Sequence, residues 1–423
     1  MIDAKMGPLA AVLGRLVLGL LGCLLVAQGA LAQTPIKIGF GMSLTGPLSA
    51  NGKAALIAMQ LWAEETNAKG GLLGRKVELI HYDDQSNPST VPGIYSKLLD
   101  VDKVDLITSG YGTNVAAPAV PIAMQRNLTF MALFALGTNE KFKYDRYFQI
   151  TPSGPTPGLE FSKGFLEVAM SMNPKPQSIA LVGADAEYPA VALGGARENV
   201  KKLGLKLVYD RTYPPATTDY TPIVRAIQAA NPDVVFIASY PADTAGLVRA
   251  INEVKLKARM LGGGMVGLQF AALKGQLGPL MNGITSFDFY VPEPTLKFPG
   301  IEEFLAKYRP RAVQEKVDLL GIYVPPFAYA AVQVLGAAVQ AAGSLDQGKI
   351  AEKIKSMTFD TIVGKIKFGS NGEWETPRIL QVQYQGIQDG DLEQFKKPGR
   401  QIIVYPPNLK SGEFKYPFSE IKR

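Results

Sequence analysis

The sequence predicts an α/β protein of two lobes, each built around a doubly wound, mostly parallel sheet. Strand-like and helix-like segments alternate from Pro35 to about Val291, which is typical of parallel sheets with helices on both faces. The alternation starts a second time near Ser178. Between the two series, Ile150–Gly158 is rich in proline and glycine and therefore indicates a linker or crossover.

The first series predicts the first lobe. The apolar run IKIGFG predicts a strand, and the Ala, Leu, Met and Trp residues after it recur with helical spacing. The predicted elements, in order, are strand Ile36–Gly41, helix Ala54–Ala68, strand Lys76–Tyr82, helix Val91–Leu99, strand Val104–Ser109, helix Ala116–Arg126 and strand Leu128–Ala132.

The second series predicts a second lobe with the same rhythm. Its elements are strand Ser178–Val182, helix Ala190–Leu203, strand Lys206–Tyr213, helix Tyr220–Ala230, strand Val234–Ala238, helix Thr244–Val254, strand Arg259–Leu261 and strand Ile284–Tyr290. Two similar series in one chain indicate two lobes of ordinary domain size, which suits a length of 423 residues.

The last third of the chain has a different pattern. Three helices are predicted there, at Ile301–Tyr308, Pro325–Ala342 and Ile350–Ser356. Two strand-like runs, Ile362–Phe368 and Arg378–Gln385, flank an Asn-Gly turn signal and predict paired strands or a hairpin. We expect the Pro- and Gly-rich tail that begins at residue 388 to wrap over a surface.

The N-terminus has the three parts of a secretory signal peptide over residues 1–32. Lys5 and Arg15 precede the apolar run Leu16–Val26, and Ala30-Leu31-Ala32 forms an A-x-A cleavage site. The run is shorter than the roughly 20 apolar residues of a membrane anchor. The mature protein is therefore expected outside the cytoplasm. The alternative is a lipobox at Leu20–Cys23, in which Cys23 would be cleaved and lipidated.

The composition excludes several function classes. Cys23 is the only cysteine, so a mature chain without the leader has no disulfide and no cysteine-based metal site. The single histidine, His81, lies in a strand-like run and is interpreted as a packed strand residue. The net charge of +7 is scattered, which favours solubility and mild attraction for anions over nucleic-acid binding. We expect no cofactor, no metal and no enzyme activity.

Four loops lie where predicted strands give way to helices, which is where open α/β sheets bind ligands. They are rich in Gly, Ser, Thr and Asn, and their helix N-termini can face a carboxylate. The loops are Ser43–Gly52, Ser109–Asn114, Phe134–Asn139 and Ala184–Pro189. The hydroxyls of Ser43, Thr45, Thr113 and Thr138 can complete a pocket. Helix capping uses the same residue types and is the alternative for any single loop.

Several segments together resemble the leucine/isoleucine/valine-binding group of periplasmic substrate-binding proteins, which serve ABC importers. Their order and spacing carry the resemblance over nearly the whole chain after the leader. The segments are Ile38–Gly52, Gly70–Gln85, Ser109–Pro121, Phe134–Tyr147, Ala184–Gly204, Asp219–Ala245 and Asp360–Trp374.

The resemblance implies a type I periplasmic binding protein fold, in which two doubly wound parallel-sheet lobes are joined by a three-segment hinge. It implies a monomer in the periplasm that closes on its ligand and delivers it to a membrane permease. The lobes are expected to comprise residues 33–153 plus about 287–345, and residues 154–286 plus about 346–423.

The resemblance also implies candidate ligand contacts. The family's carboxylate-holding hydroxyl falls on Thr113, and a second contact falls on Leu136, Gly137 or Thr138. Asn51 falls where members often carry a ring or a polar wall, and Tyr188 and Tyr240 fall near aromatic contacts of the second lobe. Tyr111 and Ala135 lie in two of the matching segments, and together with Gly264, where family members usually present a carboxylate, they complete the candidate set.

The run Gly262–Gly267 departs from the family pattern. Amino-acid-binding members usually place a carboxylate there to meet the ligand ammonium, whereas this chain has Gly264. Either Asp243, Glu187 or Asp185 takes that role, or the ligand has no ammonium, because a buried unpaired charge is costly. The run also spells G-x-G-x-x-G, which we interpret as a flexible cleft loop rather than a dinucleotide site.

The sequence therefore predicts a receptor for a branched-chain or other hydrophobic amino acid, or a related small carboxylate. One alternative is a ligand sensor that docks on a membrane receptor. Another is a binder of an aromatic or branched acid that lacks an amine. An exported enzyme is a further class, but Asp83-Asp84, the carboxylate pair that it would use, ends a strand and is better explained as capping.

Overall fold

The computed structural model of the protein describes residues 34–423, so the predicted signal peptide and Cys23 lie outside the described residues. The strands are β1 Ile36–Met42, β2 Val77–Asp83, β3 Leu106–Tyr111, β4 Phe130–Leu133, β5 Tyr147–Gln149, β6 Ser178–Ala184, β7 Lys206–Tyr213, β8 Val234–Ser239, β9 Met260–Met265, β10 Thr285–Asp288, β11 Thr358–Thr361, β12 Gly364–Lys367, β13 Leu380–Tyr384 and β14 Gln401–Tyr405.

Helices alternate with these strands in both lobes. They are α1 Ser49–Ala68, α2 Val91–Asp100, α3 Thr113–Ala116, α4 Val120–Gln125, α5 Thr138–Phe142, α6 Pro157–Met170, α7 Glu187–Lys202, α8 Thr221–Ala230, α9 Pro241–Val254, α10 Ala271–Leu277, α11 Ile301–Glu315, α12 Val324–Ala342 and α13 Gln347–Ser356. The expected α/β class is confirmed.

The first lobe contains a parallel sheet with strand order β2-β1-β3-β4-β5. Strands β3 and β4 are buried at every position, and β1 is buried at all but Lys37. Such continuous burial explains why their sequences read as apolar runs rather than as alternating patterns, since helices cover both faces of a parallel sheet.

Helix α12 is the apolar core helix of the first lobe. By length and composition it could cross a membrane, but 72% of its most apolar window is buried inside the protein. It packs closely against α1, where a Cβ atom at Gly336 would lie 2.6 Å from the Trp62 ring. The missing side chain at Gly336 therefore allows the two helices to approach.

The second lobe contains a mixed sheet with strand order β14-β13-β10-β9-β8-β6-β7. Strands β6 to β10 are parallel, whereas β13 and β14 are antiparallel additions at one edge. The expectation that the tail only wraps over a surface is wrong in one part, because its residues 401–405 form β14 and pair with β13.

Two local expectations are also wrong. The runs Ile362–Phe368 and Arg378–Gln385 do not pair with each other, since β12 pairs with β11 and β13 joins the second sheet. The Asn-Gly turn between them is tied to the first crossover, because Asn371 donates to the carbonyl of Pro155. Most of the glycine run, Gly262–Met265, lies inside the buried strand β9 and is not a cleft loop, whereas Val266 and Gly267 lie in the turn that follows this strand.

In the described part of the chain, three crossovers connect the lobes, at about residues 150–156, 289–300 and 368–379. Between the last two, α12, α13 and the β11–β12 hairpin stay together on the first lobe. We expected the first lobe to end at about residue 345, but this packing keeps the chain there to about residue 367. The three crossovers place the cleft between the carboxyl ends of both parallel sheets.

Candidate functional site

A cavity lies between the lobes, at the carboxyl ends of β3, β4, β8 and β9. We call it the aromatic cavity, because most of its wall consists of aromatic rings. Its lining residues are Tyr111, Gly112, Thr113, Phe134, Leu136, Thr151, Ser153, Phe161, Tyr188, Tyr240, Val266, Phe287, Phe289 and Tyr323. Its volume is about 30 Å³, room for about two water molecules, so the rings nearly fill the cleft in this closed conformation.

Phe134 is the hub of the first-lobe wall. Its ring centroid lies 4.9 Å from that of Tyr323, 5.2 Å from that of Tyr111 and 5.6 Å from that of Phe289, with tilted or edge-to-face geometry. Its backbone has a φ of +56°, which is unusual for a residue with a side chain. Packing from several elements therefore holds a strained residue at the centre of the site.

Hydroxyl groups are concentrated at the first lobe and the first crossover. Thr113 follows Gly112, whose φ of +101° turns the chain out of β3 toward α3. The hydroxyls of Thr151 and Ser153 lie 3.3 Å apart. Thr113, Thr151 and Ser153 give the aromatic cavity a side that can donate hydrogen bonds to an anionic oxygen.

Tyrosine rings form much of the second-lobe wall. The rings of Tyr188 and Tyr240 lie 5.5 Å apart, and the Tyr188 hydroxyl donates to the carbonyl of Gly264 over 2.8 Å. Burial raises the pKa of both tyrosines well above the ordinary value, so both hydroxyls stay neutral and act as donors. These rings offer an apolar ligand body a flat surface.

Asn114 connects the two lobes directly beside the cavity. Its side-chain oxygen accepts a hydrogen bond from the Tyr240 hydroxyl at 3.0 Å and one from the backbone N–H of Tyr188 at 3.4 Å. Asn114 lies in α3 of the first lobe, whereas both donors belong to the second. Because both bonds join residues of different lobes, a separation of the lobes would break them, and we call Asn114 the latch.

No carboxylate lines the aromatic cavity in the part of the chain that the structure describes. Asp243 is buried behind the tyrosines, and its carboxylate accepts a 2.6 Å hydrogen bond from Tyr213. Burial raises the pKa of Asp243 to about 6. Asp185 and Glu187, the other two candidates for an ammonium partner, are exposed and are not among the lining residues.

Two predicted hydroxyls are engaged elsewhere. Ser43 donates to Asp84 and Thr45 to Asp83, each over 2.6 Å, and neither residue lines the aromatic cavity. The two carboxylates also accept backbone N–H groups of the loops after β1 and β2, from Ser86 and from residues 44, 45 and 85. The pair Asp83-Asp84 thus holds these two loops together. It caps neither of the helices that follow them, and Asp84 is buried, so the expected capping role is wrong.

Four further candidates lie around the cavity rather than in its wall. The carbonyl of Ala135 accepts the Tyr147 hydroxyl at 3.1 Å, and Thr138 lies beside that same hydroxyl. Gly137 has a φ of +64° and approaches Val191 of the second lobe closely. Gly264 contributes the carbonyl that holds Tyr188. Any contact of these four with a ligand stays a prediction.

Asn51 does not line the aromatic cavity, but its side-chain amide lies beside the hydroxyl of Tyr111, which does. Of the predicted residues, Tyr111, Thr113, Leu136, Tyr188 and Tyr240 come together in the cavity wall.

Over half of the residues that line the aromatic cavity, and Asn114, are not among the candidates that the sequence predicts. Thr151 and Ser153 lie in the Pro/Gly segment that was interpreted only as a linker. Phe287 lies in β10 and Phe289 begins the second crossover, and both belong to an apolar run that the sequence predicts only as a strand. Asn114 directly follows Thr113, so its place in a polar loop was a usable signal.

Two α/β lobes, three crossovers and a cavity closed between them define a receptor that encloses a small ligand. The model of the family described as periplasmic binding protein matches residues 35–383. The chain therefore belongs to the periplasmic binding protein family.

Relatives of known name agree with this assignment. The Leu/Ile/Val-binding protein homolog 2 of Brucella abortus is 24% identical over 378 residues, covering 89% of this chain and 97% of the relative. The leucine-binding protein LivK of Thermotoga maritima has a TM-score of 0.70 at 20% identity, covering 84% of this chain and 96% of that one.

A solute-binding protein of an ABC transporter from R. palustris, solved in complex with benzoate, is similarly close in fold. Its TM-score is 0.72 at 16% identity, and the match covers 88% of this chain and 95% of that one. At these identities the solved structures establish the fold.

Proposed function

We propose that this chain is the solute receptor of an ABC importer, and that its ligand is a small carboxylic acid with an aromatic or branched apolar body and no ammonium group. The observation that carries the proposal is the composition of the aromatic cavity. It combines hydroxyls on one side, rings on the others and no carboxylate among its described lining residues.

The relatives support the receptor role and the ligand class. One is named for binding leucine, isoleucine and valine, and another holds benzoate. All of these ligands share a carboxylate and an apolar body, but benzoate lacks an ammonium. A ligand whose carboxylate lies beside Thr113 and whose apolar body lies between Tyr188, Tyr240 and Phe289 would contact both the hydroxyl side and the aromatic side of the cavity.

The missing counter-charge supports an acid over an amino acid. An ammonium enclosed between the lobes loses its hydration and needs a carboxylate partner, because leaving it unpaired costs several kcal/mol. The nearest buried candidate, Asp243, is bonded to Tyr213 behind the tyrosine wall.

A branched-chain amino acid is the second candidate. The names of the curated relatives favour it, and a rotation of Asp243 past Tyr188 and Tyr240 would supply the counter-charge. In that case the Tyr213 hydroxyl would lose its acceptor.

Matched ligand pairs decide between the candidates. Titration calorimetry of the mature protein is expected to show tighter binding of 4-methyl-2-oxopentanoate than of leucine, and of 3-phenylpropanoate than of phenylalanine. Each pair keeps the apolar body and removes the ammonium. A clear preference for the amino acids would contradict the proposal and would make Asp243→Asn the next variant to test.

The size of the aromatic cavity supports a closing mechanism. At about 30 Å³ it is smaller than any of these ligands, so the lobes must separate for entry and close again around the ligand. Small-angle scattering of the mature protein is expected to show a monomer whose radius of gyration falls when the preferred acid is added. An unchanged radius at saturation would contradict the closing receptor.

A further inference from the structure

The second crossover, residues 289–300, is bonded to a part of the C-terminal tail. We call this part, residues 399–409, the tail segment. It contains β14 and the short turn that follows it. Strand β14 forms one edge of the second-lobe sheet and pairs with β13. Because β14 belongs to this sheet, a group that bonds to the tail segment is tied to the second lobe.

The innermost tie runs through Gln401 of β14. Its side-chain oxygen accepts a hydrogen bond from the ammonium of Lys274 at 2.9 Å, and its side-chain nitrogen donates to the Asp288 carboxylate at 3.4 Å. The other oxygen of Asp288 accepts the backbone N–H of Phe289 at 2.8 Å. Lys274, Asp288 and Gln401 are each at most 1% exposed. A buried chain of bonds therefore runs from α10 to the first residue of the crossover.

Two further ties lie farther along the crossover. The carboxylate of Glu293, which is 5% exposed, accepts the backbone N–H of Gly399 at 2.8 Å. The Thr295 hydroxyl donates to the carbonyl of Leu409 at 2.6 Å. The tail segment thus holds the crossover at residues 293 and 295 as well as at its start.

The rest of the crossover packs against the first lobe. A Cβ atom at Gly364 would lie 3.2 Å from the Phe298 ring, and one at Gly300 would lie 3.4 Å from the Ile362 side chain. Gly364 and Ile362 belong to the β11–β12 hairpin, which stays with the first lobe. The two halves of the crossover are therefore held by different lobes, and the tail segment supplies the bonds of the first half.

Phe289 begins this first half, and its ring lines the aromatic cavity. The ring centroid lies 5.5 Å from that of Phe287 in the second lobe, and 5.6 Å from those of Phe134 and Phe327 in the first. Since the ring contacts both lobes, its packing alone does not assign Phe289 to either lobe. The bonds of the backbone around it do assign it, and they lead to the second lobe.

We infer that the tail segment positions Phe289 for the ligand, with Gly399, Gln401 and Leu409 as the positioning residues. By tying the first half of the crossover to the second lobe, it keeps the Phe289 ring beside Phe287 when the lobes open. An entering ligand then meets a preformed pair of rings, which lowers the ordering cost of binding. The inference rests on the proposed function only in taking the aromatic cavity as the ligand site.

The test removes the two outer ties and compares the result with matched controls. Glu293→Ala/Thr295→Val removes both side-chain partners of the tail segment. Glu293→Gln/Thr295→Ser keeps an acceptor and a hydroxyl at the same positions and is the conservative control. Ser411→Ala is the second control, because the Ser411 hydroxyl accepts the backbone N–H of Ile403 in a bond within the tail.

Hydrogen exchange of the ligand-free mature protein measures the ties directly. The backbone amides of residues 289–295 are expected to exchange about tenfold faster in Glu293→Ala/Thr295→Val than in the natural protein, and at the natural rate in both controls. Thr295 is exposed, so Thr295→Val alone is expected to fold and takes the place of the double variant if that variant does not. Unchanged exchange in the folded variant would overturn the inference.

Calorimetry with 3-phenylpropanoate measures the consequence for binding. We expect affinity to fall about fivefold in Glu293→Ala/Thr295→Val and to stay within about twofold in both controls. A purely structural role would lower stability and leave the affinity of the folded protein unchanged, so faster exchange with unchanged affinity would also overturn the inference. If leucine binds and 3-phenylpropanoate does not, the proposed function is wrong, and the same comparison with leucine decides the inference.

Discussion

The two lobes share one architecture but present different chemistry to the cleft. Both lobes contribute aromatic rings to the aromatic cavity, such as Phe134 and Tyr188, but the aliphatic hydroxyls of Thr113, Thr151 and Ser153 come only from the first lobe and its crossover. Under the proposed function, the hydroxyl-bearing side would meet the carboxylate of the ligand, and the rings of both lobes would meet its apolar body.

Both lobes hold further polar groups near the cleft, but these are bonded within their own lobe. In the first lobe Ser43 is bonded to Asp84, and in the second lobe Asp243 is bonded to Tyr213. Proximity to the cleft is therefore a poor guide to function, because a polar side chain that already has a partner is not available to a ligand.

The largest expected effect concerns Asp243. Its raised pKa means that the folded state holds the proton more tightly than the unfolded state, so the free energy of unfolding falls as the pH rises from about 4 to 6. At about 1.4 kcal/mol per pKa unit, the rise from 3.8 to about 6 corresponds to about 3 kcal/mol. Asp243→Asn keeps an acceptor for the Tyr213 hydroxyl and removes the titrating group, so it is expected to abolish this pH-dependent loss of stability.

Chemical denaturation at pH 4 and pH 7.5 checks this expectation. The variant is expected to be more stable than the natural protein at pH 7.5, by up to about 3 kcal/mol, and similar to it at pH 4. Asp360→Asn, at an exposed position, is the control and is expected to change little. Loss of ligand binding in Asp243→Asn would place this carboxylate in the cleft and break the contrast between the lobes.

The next largest effect concerns Thr113. Thr113→Val keeps the volume and removes the hydroxyl, so affinity for the preferred acid is expected to fall about tenfold to a hundredfold, or roughly 1.5–3 kcal/mol for a hydrogen bond to a charged group. Calorimetry measures the change, and Thr221→Val at the start of α8 is the matched control. An unchanged dissociation constant with an intact fold would remove Thr113 from the site.

The smallest effect concerns the latch. Asn114→Ala removes two neutral hydrogen bonds between the lobes, so we expect an affinity loss of about fivefold, or about 1 kcal/mol. Stopped-flow measurements are expected to show the loss as faster ligand dissociation. In combination with Tyr240→Phe the effects are expected to be less than additive, because both changes remove the same bond. Full additivity would show that Asn114 does not act through Tyr240.

The fold was largely predictable because its signals are local. Apolar runs and helical spacing identified both lobes, and the Pro/Gly segment identified the first crossover. The errors occurred where distant segments decide the structure. Strand β14 pairs with a strand about 20 residues earlier, and the glycines of β9 lie in a strand because Phe236 and Thr285 pack so closely against it that a Cβ atom would not fit.

The site was only partly predictable, because its wall depends on how the lobes close. Tyr111, Thr113 and Leu136 lie in the loops that follow predicted strands of the first sheet and could be placed by topology. Phe161 and Tyr323 reach the cavity from a helix and from a loop far apart in the chain, and no spacing signals this convergence. Ser43, like Thr113, is a hydroxyl residue in a loop that follows a predicted strand of the first sheet. Only the structure separates the two, because it shows Ser43 bonded to Asp84 and away from the cavity wall.

Gly264 also bears on how such a receptor could change its specificity. A side chain there would begin 2.8 Å from the Tyr188 hydroxyl and 3.2 Å from both the carbonyl oxygen of Ile237 and the Phe161 ring. A side chain at this position would therefore displace the Tyr188 hydroxyl from its bond with the carbonyl of Gly264. Under the proposed function, we expect a carboxylate introduced at position 264 to work best together with a smaller residue at position 188, so an engineered switch from acids to amino acids would change both residues.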